Sequence, residues 1–112
     1  MNISNIEKYD LEKMYKVYDE WSKIALNSFQ SNQDEISFDN VKHIVFAGMG
    51  GSGSVGDVFS AILSKTGIHV NVVKGYLLPT TVNSDTLVVI ISVSGNTSET
   101  LSLIKSAYKK KC

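Results

Sequence analysis

Residues 42–56 read KHIVFAGMGGSGSVG, from Lys42 to Gly56. A β-rich run, Lys42 to Ala47, enters a loop that holds five of the chain's eight glycines, between Gly48 and Gly56. A helical apolar pattern follows from Val55 to Lys65 through Val58, Phe59, Ile62 and Leu63. Strand, glycine loop and helix in that order open a parallel α/β unit.

Working outward, the C-terminal side repeats the alternation. After Gly67 comes a second β run, His69 to Val73, then a loop with Tyr76, Leu78 and Pro79, then Thr86 to Ser92 (TLVVIIS). This third run is apolar on both faces, as in a central parallel strand covered by helices on both sides. A second small-residue loop, Ser92 to Thr97 (SVSGNT), leads into a helix from about Thr97 to Lys111, with Asn96 and Glu99 placed as N-cap and N3 of a capping box. On the N-terminal side, Leu11, Met14, Tyr18, Trp21 and Ala25 recur at spacings of three and four, and Val17 and Ile24 widen the stripe. This predicts one amphipathic helix over Ser4 to Gln30, within a first region 1–30. A linker, residues 31–40 (SNQDEISFDN), follows, anchored by Ile36 and Phe38, and the α/β region runs over residues 41–112. The expected fold is α/β, a three-layer αβα parallel sheet of flavodoxin-like order 2-1-3. It is expected to be the first part of something longer, broken off after the third strand and its helix.

Composition narrows the function. With 112 residues the chain has room for one domain's core. Eleven cations, all Lys, balance eleven Asp and Glu, so bulk charge predicts neither a nucleic-acid nor a membrane partner. The longest apolar run, Leu87 to Ile91, falls far short of the ~20 residues that span a bilayer, and no export pattern opens the chain, so a soluble, cytoplasmic protein is expected. The lone Cys112 and two histidines, His43 and His69, make neither a disulfide nor a zinc site, and no metal is expected.

In a sheet of order 2-1-3 the first and third strands are neighbours, and a crevice opens at their carboxyl ends. Both glycine- and serine-rich loops fall there, and each feeds a helix N-terminus, where unpaired amides and the positive dipole end favour an anion. Ser52, Ser92, Ser94 and Thr97 add compact hydroxyls, so a phosphate can be held without Arg. A phosphorylated metabolite fits better than a nucleoside triphosphate, because no G-x-x-x-x-G-K-[ST] motif is present. Gly48, Gly50 and Gly53 do satisfy G-x-G-x-x-G, yet a dinucleotide site also needs an acid at the end of the second strand. That region is HVNVVKG, with Lys74 and no carboxylate.

The combination of GMGGSGSVGDVF, Tyr76-x-Leu78-Pro79 and ISVSGNTSETL resembles the sugar isomerase (SIS) domain family. Within it the chain is most similar to the N-terminal domain of the bifunctional phosphoglucose/phosphomannose isomerases, over about Val41 to Tyr108. The resemblance implies a five-stranded parallel sheet in each of two such domains, a homodimer whose active site includes the dimer interface, no cofactor, and interconversion of glucose 6-phosphate or mannose 6-phosphate with fructose 6-phosphate. It places the hexose phosphate on Gly51 and Ser52 of the first loop and on Ser92, Ser94 and Thr97 of the second. The family's Glu and His, and its substrate-binding Arg and further Lys, lie later in the chain than this sequence extends. No catalytic residue is therefore assigned to these 112 residues, and they are expected to be inactive alone. The alternative is a SIS-type phosphosugar-sensing regulatory module.

Other polar residues read as structural. Glu99 has the capping task, and His43 and His69 sit at strand boundaries. Lys109 to Lys111 suit the dipole at the far end of the last helix, while Asp57, read in the first turns of its helix, fits either a dipole role or a functional one.

Overall fold

The computed structural model describes residues 3–31, 34 and 36–112. Two compact units divide the chain, Met1–Ile36 and Ser37–Cys112. Asn32, Gln33 and Glu35 of the expected linker lie outside the described residues.

The first unit corrects the expectation of one continuous helix. It contains α1 (Ile3–Glu7), α2 (Met14–Asp19) and α3 (Trp21–Gln30). Local hydrogen bonds make the breaks. The amides of Tyr9 and Asp10 both donate to the Ile6 carbonyl, at 3.0 and 2.8 Å, which closes α1. The Asp10 carboxylate then accepts the Tyr15 amide at 2.9 Å, and Lys13 takes a left-handed φ of 54°. An aspartate that satisfies nearby amides offers the backbone an alternative to helix, which side-chain periodicity does not register. At Glu20 (φ −93°, ψ −2°) a second break separates α2 from α3. The Tyr18 and Trp21 rings meet across it with centroids 5.0 Å apart.

The second unit is the expected α/β sheet. Strands β1 (His43–Ala47), β2 (His69–Val73) and β3 (Thr86–Ile90) run parallel in the order β2-β1-β3. Phe46 stands opposite Val72 on one side and Val89 on the other. The central place thus belongs to β1, whose residues Ile44 to Ala47 are all buried. The run from Thr86 forms β3, which pairs with β1 among the described residues. Its apolarity on both faces is that of a strand covered on both sides.

Helix α4 (Gly50–Leu63) covers the face of Ile44 and Phe46, and the Phe59 ring stacks on Phe46 with centroids 5.3 Å apart. Val45 points to the opposite face and is completely buried. There α5 (Ser98–Lys110), which contacts β3, buries Thr100, Leu103 and Ala107. The two helices take opposite faces of the sheet, which gives three layers.

Helix α4 begins five residues before the expected Val55, so most of the glycine run is helix rather than loop. The reason is close packing. A Cβ on Gly56 would lie 2.9 Å from the Phe46 Cβ and 3.2 Å from Val72 Cγ1, and one on Gly53 would lie 2.7 Å from the Gly48 carbonyl oxygen. Glycine at these positions lets the helix lie directly on β1 and β2. The proposed linker anchors, Ile36 and Phe38, are instead largely exposed.

At the amino ends of the strands, His43 joins all three. Its Nε2 donates to Asn71 Oδ1 at 2.9 Å, its Nδ1 lies 3.0 Å from the buried Thr86 hydroxyl, and its ring packs on His69 at 5.0 Å. The boundary role read for both histidines is thus a cross-strand bridge.

Gly56→Ala is expected to lower stability by about 1–3 kcal/mol through overpacking against Phe46, despite alanine's better helix propensity. Gly67→Ala, with open space around the added methyl, is the control and should be near neutral. Urea unfolding of the two variants checks this, and equal midpoints would remove the close-packing account.

Candidate functional site

The floor of the site is built where the ladder runs past the strands. The Gly48 amide donates to the Val73 carbonyl at 3.0 Å, and the Ile91 amide donates to the Ala47 carbonyl at 2.8 Å. These bonds fix the starting points of the loops that leave β1 and β3. A Cβ on Gly48 would lie 3.0 Å from the Ile91 carbonyl oxygen, so the two loops are in contact at this point.

Above that contact lies a cleft of about 400 Å³ lined by Met49, Gly51, Ser52, Ile91, Ser92, Val93, Ser94 and Thr97. All five residues singled out from the sequence, Gly51, Ser52, Ser92, Ser94 and Thr97, line it together. Sequence reading missed Met49 and Val93, whose signal was only their place inside the two loops, and Ile91, which read as part of the third β run.

The first loop supplies amides. Gly50 has φ +53°, a left-handed turn that starts α4. The N-cap is Met49, whose side chain makes no cap hydrogen bond. A thioether in place of a Ser, Thr or Asp oxygen leaves the first-turn N–H groups of α4 without a side-chain acceptor, next to the cleft. The dipole of this 14-residue helix adds to their pull on an anion.

The second loop supplies hydroxyls. Ser92 Oγ accepts the Gly95 amide at 3.0 Å and Ser94 Oγ accepts the Asn96 amide at 3.3 Å, while Ser94 and Thr97 hydroxyls lie 3.2 Å apart. Gly95, at φ +66°, makes the turn that allows this. A hydroxyl that accepts from the backbone keeps its own hydrogen to donate, so Ser92 and one of the Ser94–Thr97 pair can direct O–H groups at an oxyanion.

The start of α5 corrects one expectation. Its N-cap is Thr97, not Asn96, so Glu99 stands at the second helical position and the capping box does not form. The Thr97 side chain caps no amide and faces Ser94 instead. The Glu99 carboxyl is held below the ordinary glutamate range, first by its own backbone N–H, then by the Ser98 hydroxyl, which donates to Oε2 at 3.1 Å. Glu99 therefore still serves the helix terminus, by a shorter route than the one the spacing suggested.

Asp57 forms an ion pair with Lys74 at 2.6 Å, across α4 and the end of β2. Lys74 also lies over Gly53, with its Cε 3.0 Å from the place of a Cβ there. A cation thus occupies the position at which a dinucleotide fold carries its ribose-binding acid. Among the described residues no group of three His, Cys, Asp or Glu side chains is placed to hold a metal ion. A second, larger cavity of about 570 Å³ lies at the opposite end of the sheet, lined by residues of segments 37–42 and 84–87 and by Lys111 and Cys112. It meets the end of α5 rather than a helix N-terminus, and parallel α/β sheets bind ligands at the carboxyl ends of their strands.

The SIS domain family profile matches residues 37–111. The chain belongs to the SIS domain family. Curated relatives named bifunctional phosphoglucose/phosphomannose isomerase include that of Aquifex aeolicus, 40% identical over 99 residues, which are 87% of this chain and 30% of the relative. Those of Thermoplasma acidophilum (39% over 84 residues, 70% of this chain and 26% of the relative) and Caldicellulosiruptor bescii (35% over 100 residues, 88% and 27%) are similar. This SIS chain spans roughly a third or less of each of these three relatives. No solved structure gives a significant match. Among the described residues no helix is long and apolar enough to cross a membrane.

The depressed Glu99 carboxyl gives a pH prediction. A carboxyl whose folded-state pKa is lowered adds stability above its unfolded pKa, and that stability is lost as the pH falls through the folded value. Between about pH 5 and pH 3 the unmodified chain should therefore lose more stability than Glu99→Gln. Thermal melts across that range test it, and parallel curves would contradict the assigned contacts.

Proposed function

We propose that this chain forms the phosphate-holding part of an aldose–ketose isomerase that interconverts glucose 6-phosphate or mannose 6-phosphate with fructose 6-phosphate. The observation that carries the proposal is the single cleft joining Gly51 and Ser52 at the uncapped start of α4 to the hydroxyls of Ser92, Ser94 and Thr97. Backbone amides, a helix dipole and neutral hydroxyls suit a phosphate dianion and leave the rest of a sugar to be recognised elsewhere. The names of the relatives support the substrate class.

The same lining sets a limit. None of the eight residues around the cleft carries a side chain that titrates near neutral pH. Moving a proton between adjacent carbons through an enediol needs a base and an acid within hydrogen-bond reach. These residues hold and orient the phosphate, and the proton-transfer groups come from elsewhere. A phosphosugar-sensing module would use the same cleft and need no such groups.

Inorganic phosphate or fructose 6-phosphate is expected to raise the melting temperature by roughly 5 °C at about ten times its dissociation constant. Ser94→Ala combined with Thr97→Ala should abolish the shift, and a shift unchanged in that variant would remove the loop assignment. The 112-residue chain alone is expected to show no turnover of fructose 6-phosphate in a coupled assay. Sustained turnover would refute the placement of the acid and base outside it.

A further inference from the structure

The segment that leaves β2 touches both helices whose N-termini border the cleft. Lys74 pairs with Asp57 on α4, and two residues later Tyr76 reaches the first turn of α5. The Tyr76 hydroxyl lies 3.4 Å from Ser98 Oγ, and the Tyr76 carbonyl accepts the Ser102 hydroxyl at 3.4 Å, one turn further along the helix. Ser98 donates its hydroxyl hydrogen to Glu99 Oε2, and the Tyr76 hydroxyl hydrogen-bonds the same carboxyl. The result is a connected cluster of Tyr76, Ser98 and Glu99 at the first turn of α5.

We propose that Tyr76 is a positioning residue for the cleft, holding the first turn of α5 so that Ser94 and Thr97 face Gly51 and Ser52. The inference rests on the reading of the cleft as a phosphate site and assigns its geometry to a third strand tip. Thr97 adjoins Ser98 in the chain and its hydroxyl lies 3.2 Å from that of Ser94, so the turn Tyr76 grips is joined directly to the two hydroxyls. Tyr76 contributes in the same sense to the low Glu99 pKa. The ring is half exposed, so removing the hydroxyl alone leaves the apolar packing in place.

The test is titration of the isotopically labelled chain with inorganic phosphate, and separately with fructose 6-phosphate, followed by NMR at the amides of residues 92–97. Tyr76→Phe should raise the dissociation constant about threefold to tenfold, the scale of one neutral hydrogen bond, while the ligand-free melting temperature moves by less than about 2 °C. Ser98→Ala should do the same, and the double variant should lose little more than either single one, because both remove one chain of contacts. The Glu99 carboxyl, followed by its side-chain carbon shift, should titrate at higher pH in Tyr76→Phe. If the unmodified chain binds and both single variants keep their affinity within about twofold, or if the two losses add in full, the positioning role is overturned. If the unmodified chain shows no phosphate-dependent shift, the phosphate reading of the cleft fails, and the positioning role fails with it.

Discussion

Helix α4 lies so close to β1 and β2 that Gly56 has no room for a methyl group, and the first arm of the cleft depends on that approach. The contact of Gly56 with the Phe46 Cβ and Val72 fixes the distance between helix and sheet. Gly53 against the Gly48 carbonyl fixes where the helix can begin. Because the helix starts at Gly50, almost directly off the strand, its first amides stand at the strand tip rather than several residues away on a flexible loop. Protein interiors are dense enough that one extra carbon there must displace backbone or a β-branched side chain.

The second arm of the cleft is organised on different physics. Ser92–Thr97 folds on its own hydroxyls, which accept nearby amides, and a left-handed Gly95 closes the turn. One arm therefore presents amides and a helix dipole, and the other presents O–H groups held by short-range hydrogen bonds. Neither carries a formal positive charge. The arrangement matches a chain with no arginine, in which Lys74 is held in an ion pair with Asp57. An exposed ion pair of this kind contributes little to stability, so its importance here lies in where it puts Lys74.

Much of this was legible in the order of residues. The alternation of KHIVFA, the glycine run, HVNVV, TLVVI and the last amphipathic segment points to a parallel sheet, because the connections are long enough for crossovers and the third run lacks the alternation of a solvated face. The order 2-1-3 and the meeting of two loops at one crevice follow from that topology. Less legible were the positions where a local hydrogen bond competes with periodicity. Asp10 and Lys13 divide a helix that the apolar spacing joins. The glycine run reads as loop by propensity and is mostly helix by packing.

The sequence by itself determined the three strands and the two loops that supply the polar lining of the cleft, since those depend on hydrophobic period and on which residues follow each strand. Only tertiary structure decided that Thr97 rather than Asn96 begins α5, that Lys74 is paired with Asp57, that His43 ties three strands together, and that Tyr76 reaches Ser98. Each of these contacts depends on side-chain direction or on residues brought together from distant parts of the chain, and no pattern of neighbours along the backbone records either.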